Sequence, residues 1–128
     1  MNKVKTFSEV KKGDVIYTLV EFRNTDGFVE EIKPFLMRVV NVDILPNNST
    51  VLFFGNNPLN VFQITVPDHC VDRCFAFADG RLWITDKNLC YNEIEKQYKF
   101  NIDIVETTIK KANNLLENLK KNIKGIKR

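Results

Sequence analysis

His69, Cys70, Cys74 and Cys90 are the residues whose types are best equipped for chemistry. Cys70 and Cys74, spaced Cys-x3-Cys, together with Cys90 and the imidazole of His69 offer three thiolates and one nitrogen, a known zinc donor set. Two features argue against that use. Adjacent His69 and Cys70 do not easily turn toward one ion. Cys90 falls on an apolar helical stripe, where cysteine behaves as a small hydrophobe. Adjacency also withholds the geometry of a Cys–His nucleophilic pair, and the local signatures of cysteine hydrolases are absent. Asp68, Asp72, Asp79 and Asp86 are spread through turns, which favour Asp for backbone reasons rather than acid–base work. The five glycines never form a phosphate-cradling string. The expectation is a protein with no catalytic residues, no bound metal and no cofactor.

Two further groups could carry binding. Trp83, Phe75, Phe77 and Arg81 fall close together, and aromatics with arginine can form a platform for stacked bases. Packing inside a small barrel is the stronger use of such large residues. The other group is basic. Residues 1–107 carry 12 Lys and Arg against 15 Asp and Glu, a net of −3. Residues 108–128 carry Lys110, Lys111, Lys120, Lys121, Lys124, Lys127 and Arg128 against Glu117 alone, a net of +6. A slightly acidic body with a basic tail can mark contact with nucleic acid or an acidic partner. The simpler reading is a solvated helix face with lysines near the negative end of the helix dipole.

These groups sit on a chain of 128 residues, 44% apolar and 27% charged, the balance of a globular domain. No apolar run approaches the roughly 18 residues of a membrane span. Met1-Asn2-Lys3-Val4-Lys5 leads into polar sequence, so no secretory leader is expected. Three cysteines are an odd number and too few for a disulfide scaffold. A cytoplasmic location follows as the expectation. Fifteen Asn, fourteen Lys and eleven Ile have AT-rich codons, which fits a bacterial or phage genome of low GC content.

The elements that must position these residues divide the chain near residue 85. Thr6-Phe7-Ser8-Glu9 has the spacing of a capping box and predicts a short helical turn. Val15 to Phe22 is β-branched and aromatic, hence a strand. Asn24-Thr25-Asp26-Gly27 is a turn, and a second strand begins at Phe28. Pro34 lacks an amide donor and marks an edge, bend or bulge in it. Phe35 to Ile44 is apolar enough for a central strand. Thr50 to Phe54 is the next, and Gly55-Asn56-Asn57-Pro58 the next turn. In Val61 to Val66 the alternation predicts Phe62, Ile64 and Val66 facing inward. Cys74 to Ile84 carries Asp79-Gly80 between two apolar runs, a tight hairpin.

Beyond Asp86 the period changes. Apolar residues fall at Cys90, Ile94, Tyr98, Ile102, Val105, Ile109, Ala112, Leu116, Leu119, Ile123 and Ile126, a mean step of 3.6. The pattern predicts a helix from an N-cap at Thr85 or Asp86 to a stop at Gly125. Phe100-Asn101-Ile102-Asp103-Ile104 also alternates like a strand, but the helical stripe stays in phase on both sides of it. Steps of four up to Ile102 fit docking of residues 86–101 on a sheet. Steps of three and four over 102–126 fit a coiled-coil seam. The flanking Glu106, Asn113 and Lys120, with Thr108, Leu115 and Asn122, leave partner number and orientation open. The alternative is a helical hairpin that breaks near Tyr98–Asp103.

The fold expected is therefore α+β: a small antiparallel β-barrel or curled sheet over residues 1–85, then a long C-terminal helix over 86–128. Val10-Lys11-Lys12-Gly13-Asp14-Val15-Ile16-Tyr17, a basic turn with Gly-Asp opening the first strand, resembles the start of SH3-like small barrels. In layout the chain also resembles uncharacterised phage and bacterial proteins that join such a barrel to a C-terminal helix. The resemblance implies binding rather than catalysis, and it carries no binding residue over. The leading expectation is a non-enzymatic binding or assembly protein that forms homo-oligomers through Ile102, Val105, Ile109, Ala112, Leu116, Leu119 and Ile123. A protein partner remains open, and no membrane partner is expected. The alternatives are a nucleic-acid-binding module using the seven basic residues of the tail, and a small-ligand sequestering protein with sites at subunit interfaces.

Overall fold

Alternation in the first strand divides the molecule into an inside and an outside. In a computed structural model describing residues 4–55 and 59–127, strand β1 spans Val15–Arg23. Ile16 and Thr18 point inward and are wholly buried, while Tyr17 and Leu19 face the other way. The turn before β1 depends on two residues. Gly13 adopts φ +93°, and the Asp14 carboxylate accepts from the Lys11 amide at 2.8 Å and the Lys5 ammonium at 2.7 Å. The Lys5 hydrogen bond leads the effects that hold Asp14 below its ordinary carboxylate range.

Strands β2 (Val29–Ile44), β3 (Thr50–Phe54), β4 (Gln63–Val66), β5 (Phe75–Ala78) and β6 (Arg81–Ile84) complete one antiparallel sheet. Its order is β4-β3-β2-β1-β6-β5. The two end strands approach one another, so the sheet curls into a nearly closed small barrel. The long β2 makes the curl. Its first part pairs with β1, from Val29 opposite Arg23 to Arg38 opposite Val15. Its second part pairs with β3, with an irregularity between Val39 and Asn41 where it changes partner. Part of the turn expected at Gly55-Asn56-Asn57-Pro58 lies outside the described residues, as does Arg128.

Trp83 lies at the centre of the barrel, with Phe7, Ile16, Met37, Leu52, Ile64 and Val66 also wholly buried. Its ring stacks on Phe54 at 5.3 Å between centroids, and its indole N–H donates to the Ala78 carbonyl at 2.8 Å. The Thr6-to-Glu9 turn forms as the spacing predicts, with the Thr6 amide bonded to the Glu9 carboxylate at 3.1 Å. It delivers Phe7 to this core, and the Phe7 and Ser8 amides donate to the Arg73 and Val71 carbonyls.

Two local expectations need correction. Phe62 is 66% exposed, and buried Val61 stands in its place. Regular strand begins only at Gln63, after Asn60 takes a left-handed φ of 52°, so the inward alternation starts at Ile64. Phe75 and Phe77 do not enter the core either. The hairpin turns at Asp79 and Gly80, both with positive φ, as a type I′ turn requires. In its register Ala76 lies opposite Trp83. The indole fills the space available on that face, so the small residue goes in and Phe77 is left 73% exposed.

Helix α1 runs unbroken over Lys87–Lys124, 38 residues and so about 57 Å long. The Asp86 carboxylate caps it, accepting from the Leu89 amide at 3.0 Å. Gly125 ends it, donating to the Lys121 carbonyl. Residues 98–105 are helical, so neither the competing strand nor the hairpin break occurs.

Candidate interaction surface

The outer face of β1, β2 and β6 forms a second core with the start of α1. Cys90 and Ile94 are buried against Ile32 and Ile84, with Tyr17, Leu19 and Leu82 packed around them. Tyr98 closes this contact with a polar group. Its hydroxyl accepts from the Ile32 amide at 2.7 Å and lies 3.3 Å from the Ile32 carbonyl. These groups of β2 face away from β1, on a stretch that β3 does not reach. Pro34 shares that orientation two residues on, so its missing donor faces an open edge, as expected of a proline in a strand. Tyr98→Phe leaves the Ile32 amide without its partner and is expected to cost about 1–2 kcal/mol. Chemical denaturation would measure this, and an unchanged midpoint would show that water replaces the hydroxyl.

Cys90 reports on the docking. It is wholly buried, and burial pushes its thiol up to about 11 from an ordinary value of 9. A folded-state value above the unfolded one favours the neutral thiol in the native protein. Its contribution is complete below pH 9 and is lost as pH rises toward 11. Stability is therefore expected to fall across that window, and to fall less in Cys90→Ala. A thiol titration of the native protein should modify the half-buried Cys70 and Cys74 first, and Cys90 only as α1 detaches. Equal rates for all three would contradict the packing.

From Ile102 onward α1 leaves the barrel. Ile102, Val105, Ile109, Ala112, Leu116, Leu119 and Ile123 are all exposed, Leu116 at 49% and Ile123 at 68%. They continue the docked face. At 100° per residue, the centres of the Cys90–Ile94–Tyr98 stripe and the 102–123 stripe differ by only about 30°. One apolar face therefore runs the length of the helix, covered by the barrel at its start and bare afterwards. The two parts meet at a shallow groove of about 270 Å³, lined by Val29, Glu30, Tyr98, Ile102, Val105 and Glu106. Nothing in the sequence pointed to Val29 and Glu30, which lie about 70 residues from the helix they flank. Leu115 is also exposed, beside the seam, and Phe100 and Ile104 are exposed on another side of the helix.

Lys110, Lys111, Lys120, Lys121 and Lys124 are exposed along α1, and Lys127 follows it. Among the described residues none of these six forms an ion pair. They form no single patch. Lys110, Lys121 and Lys124 lie away from the apolar face, Lys111 is turned further round, and Lys120 flanks the seam.

The zinc donors do not converge. His69 is exposed on a 3-10 turn at Asp68–Cys70, whereas Cys90 is buried on the face of α1 that docks on the sheet. Among the described residues no three His, Cys, Asp or Glu side chains come together as metal ligands. No described helix is long and apolar enough to cross a membrane. No protein-family model, curated protein or solved structure matches the chain.

Proposed function

We propose that this chain is a non-enzymatic binding and assembly protein that self-associates through residues 102–126, leaving its small barrel free to engage other molecules. One observation carries the reading. The apolar face that is buried over the first three turns of α1 continues, uncovered, for about six more turns. A solvated stripe of that length favours association, and its three–four spacing is that of a coiled seam. Unpaired cysteines fit a reducing compartment, consistent with action in a bacterial cytoplasm, whether the gene is the cell's or a phage's. Native mass spectrometry and sedimentation equilibrium test the proposal. The expected species is a defined multiple of 14.9 kDa. A bare 14.9 kDa particle throughout the micromolar range would overturn it.

The unpaired lysines favour a second reading, in which the exposed outer side of the helix contacts nucleic acid. Several phosphate contacts would make affinity fall steeply with salt. Flat salt dependence, or binding undiminished by deletion of residues 120–128, would remove this reading.

A further inference from the structure

The self-association proposed above leaves the direction of the second helix open, and the structure bears on it in three ways. We infer that two copies of this chain pair their helices antiparallel over residues 102–126, each helix end seated in the other copy's groove between barrel and helix.

The first observation is steric. The barrel occupies the same face of α1 that carries the seam. A parallel partner in register would have to run its own first half through the space this barrel fills. An antiparallel partner places its docked half and its barrel beyond Gly125, where α1 has ended. The last turn of the second helix then arrives at the groove beside Val29 and Tyr98, whose lining is mainly apolar and suits Ile123 and Ile126 of the second copy.

The second observation is the fit of the seam. With the two-fold axis beside residue 114, Ile102 faces Ile126 of the second copy, Val105 faces Ile123, Ile109 faces Leu119, and Ala112 faces Leu116. Beside the axis, Leu116 of each copy meets the small Ala112 of the other. A parallel pair would set Ala112 against Ala112 and leave that layer underfilled. Leu115 falls next to the axis and meets its own copy, which covers an exposed side chain outside the strict seam.

The third is charge. In the antiparallel pair, Glu106 lies within one turn of Lys120 of the second copy, and symmetry makes this contact twice. The parallel pair sets Glu106 beside Asn101 and Lys120 beside Leu115, with no opposite charge. Glu30 and Glu106 at the groove face the lysine-rich end of the second helix, where Lys124 and Lys127 lie. Lys120 and Lys124 are exposed and form no ion pair among the described residues, so they are available for it.

Pulsed electron–electron spin resonance on the full chain tests the direction. The label is placed on Lys96→Cys, an exposed site away from the seam, with Cys70→Ser and Cys74→Ser to remove the accessible thiols. The antiparallel pair separates the two labels by about 54 Å along the axis, and a parallel pair by about 20 Å. Charge exchange provides a second readout. Glu106→Lys alone is expected to weaken dimerisation about tenfold, and Glu106→Lys with Lys120→Glu to restore it. A dimer with the long distance and this rescue supports the inference. A dimer with the short distance overturns the antiparallel direction but leaves self-association standing. A trimer or larger assembly overturns the pairing. A monomer at every concentration overturns both.

Discussion

If the copies join through residues 102–126 as proposed, Leu116→Asp is expected to yield a monomer with an intact barrel. Leu116 is 49% exposed in the single chain and touches no part of the barrel core, so its replacement removes nothing that one copy needs in order to fold. In the proposed assembly it lies in the middle of the seam. A carboxylate there must be buried without a partner or must push the helices apart, at a cost of about 3 kcal/mol or more per copy. Two copies then lose roughly four orders of magnitude in association. Leu119→Asp should act alike, one turn away on the same face. Sedimentation equilibrium reads the mass, and the near-ultraviolet signal of Trp83 reads the barrel. Far-ultraviolet ellipticity should fall only modestly, because a long helix stripped of its packing partner frays from its free end. An assembly that survives both substitutions unchanged would mean that the seam is not what joins the copies. A variant with a lost Trp83 signal would mean that residues beyond 102 support the barrel.

Trp83→Ala is expected to do the opposite damage, destabilising the barrel and sparing residues 102–126. The side chain is wholly buried, stacks on Phe54 and donates its N–H to Ala78. Truncation of a buried tryptophan costs about 3–5 kcal/mol, a large part of the roughly 5–15 kcal/mol that holds a domain of this size together. Ala76 opposite it has no bulk with which to fill the cavity. The urea midpoint, followed by circular dichroism because the only tryptophan is gone, should fall by roughly 2 M. Trp83→Phe retains the stacking and should recover much of the loss. A loss of less than about 1 kcal/mol for Trp83→Ala would show that the barrel repacks, and that Trp83 is not its centre.

The two variants separate the parts of the molecule, and the sequence had already drawn that division near residue 85. The helix was legible from an N-cap at Thr85 or Asp86 to its stop at Gly125, and the structure selects Asp86 and carries the helix unbroken through Phe100–Ile104. A 3.6 period sustained over many turns outweighs the short strand-like alternation within it, and short-range capping chemistry marks both ends. The Asp79-Gly80 hairpin and the Thr6-to-Glu9 turn were legible for the same reason. Each depends on neighbours within a few residues. The seam residues were legible as a pattern, but whether they bury themselves within one chain was not.

The misreadings at Phe62 and Phe77 have different sources. At Phe62 the inward face was read correctly, since Ile64 and Val66 are buried, but regular strand begins only at Gln63, after the left-handed Asn60. At Phe77 the source is packing. Alternation tells which residues share a face, but not which face is inward when both contain aromatics. That choice came from volume. Trp83 filled the interior opposite Ala76, so Phe77 was turned out.

Local sequence thus determined the elements, their ends and the apolar stripe of α1, because periodicity, caps and turns act over a few residues. Only the tertiary structure decided which part of that stripe the barrel covers. It placed Tyr98 on the free edge of β2 and brought Val29 and Glu30 beside Ile102 and Glu106. These contacts join residues about 70 positions apart. Their geometry depends on the curl of the sheet and the packing of its outer face, which no local pattern records.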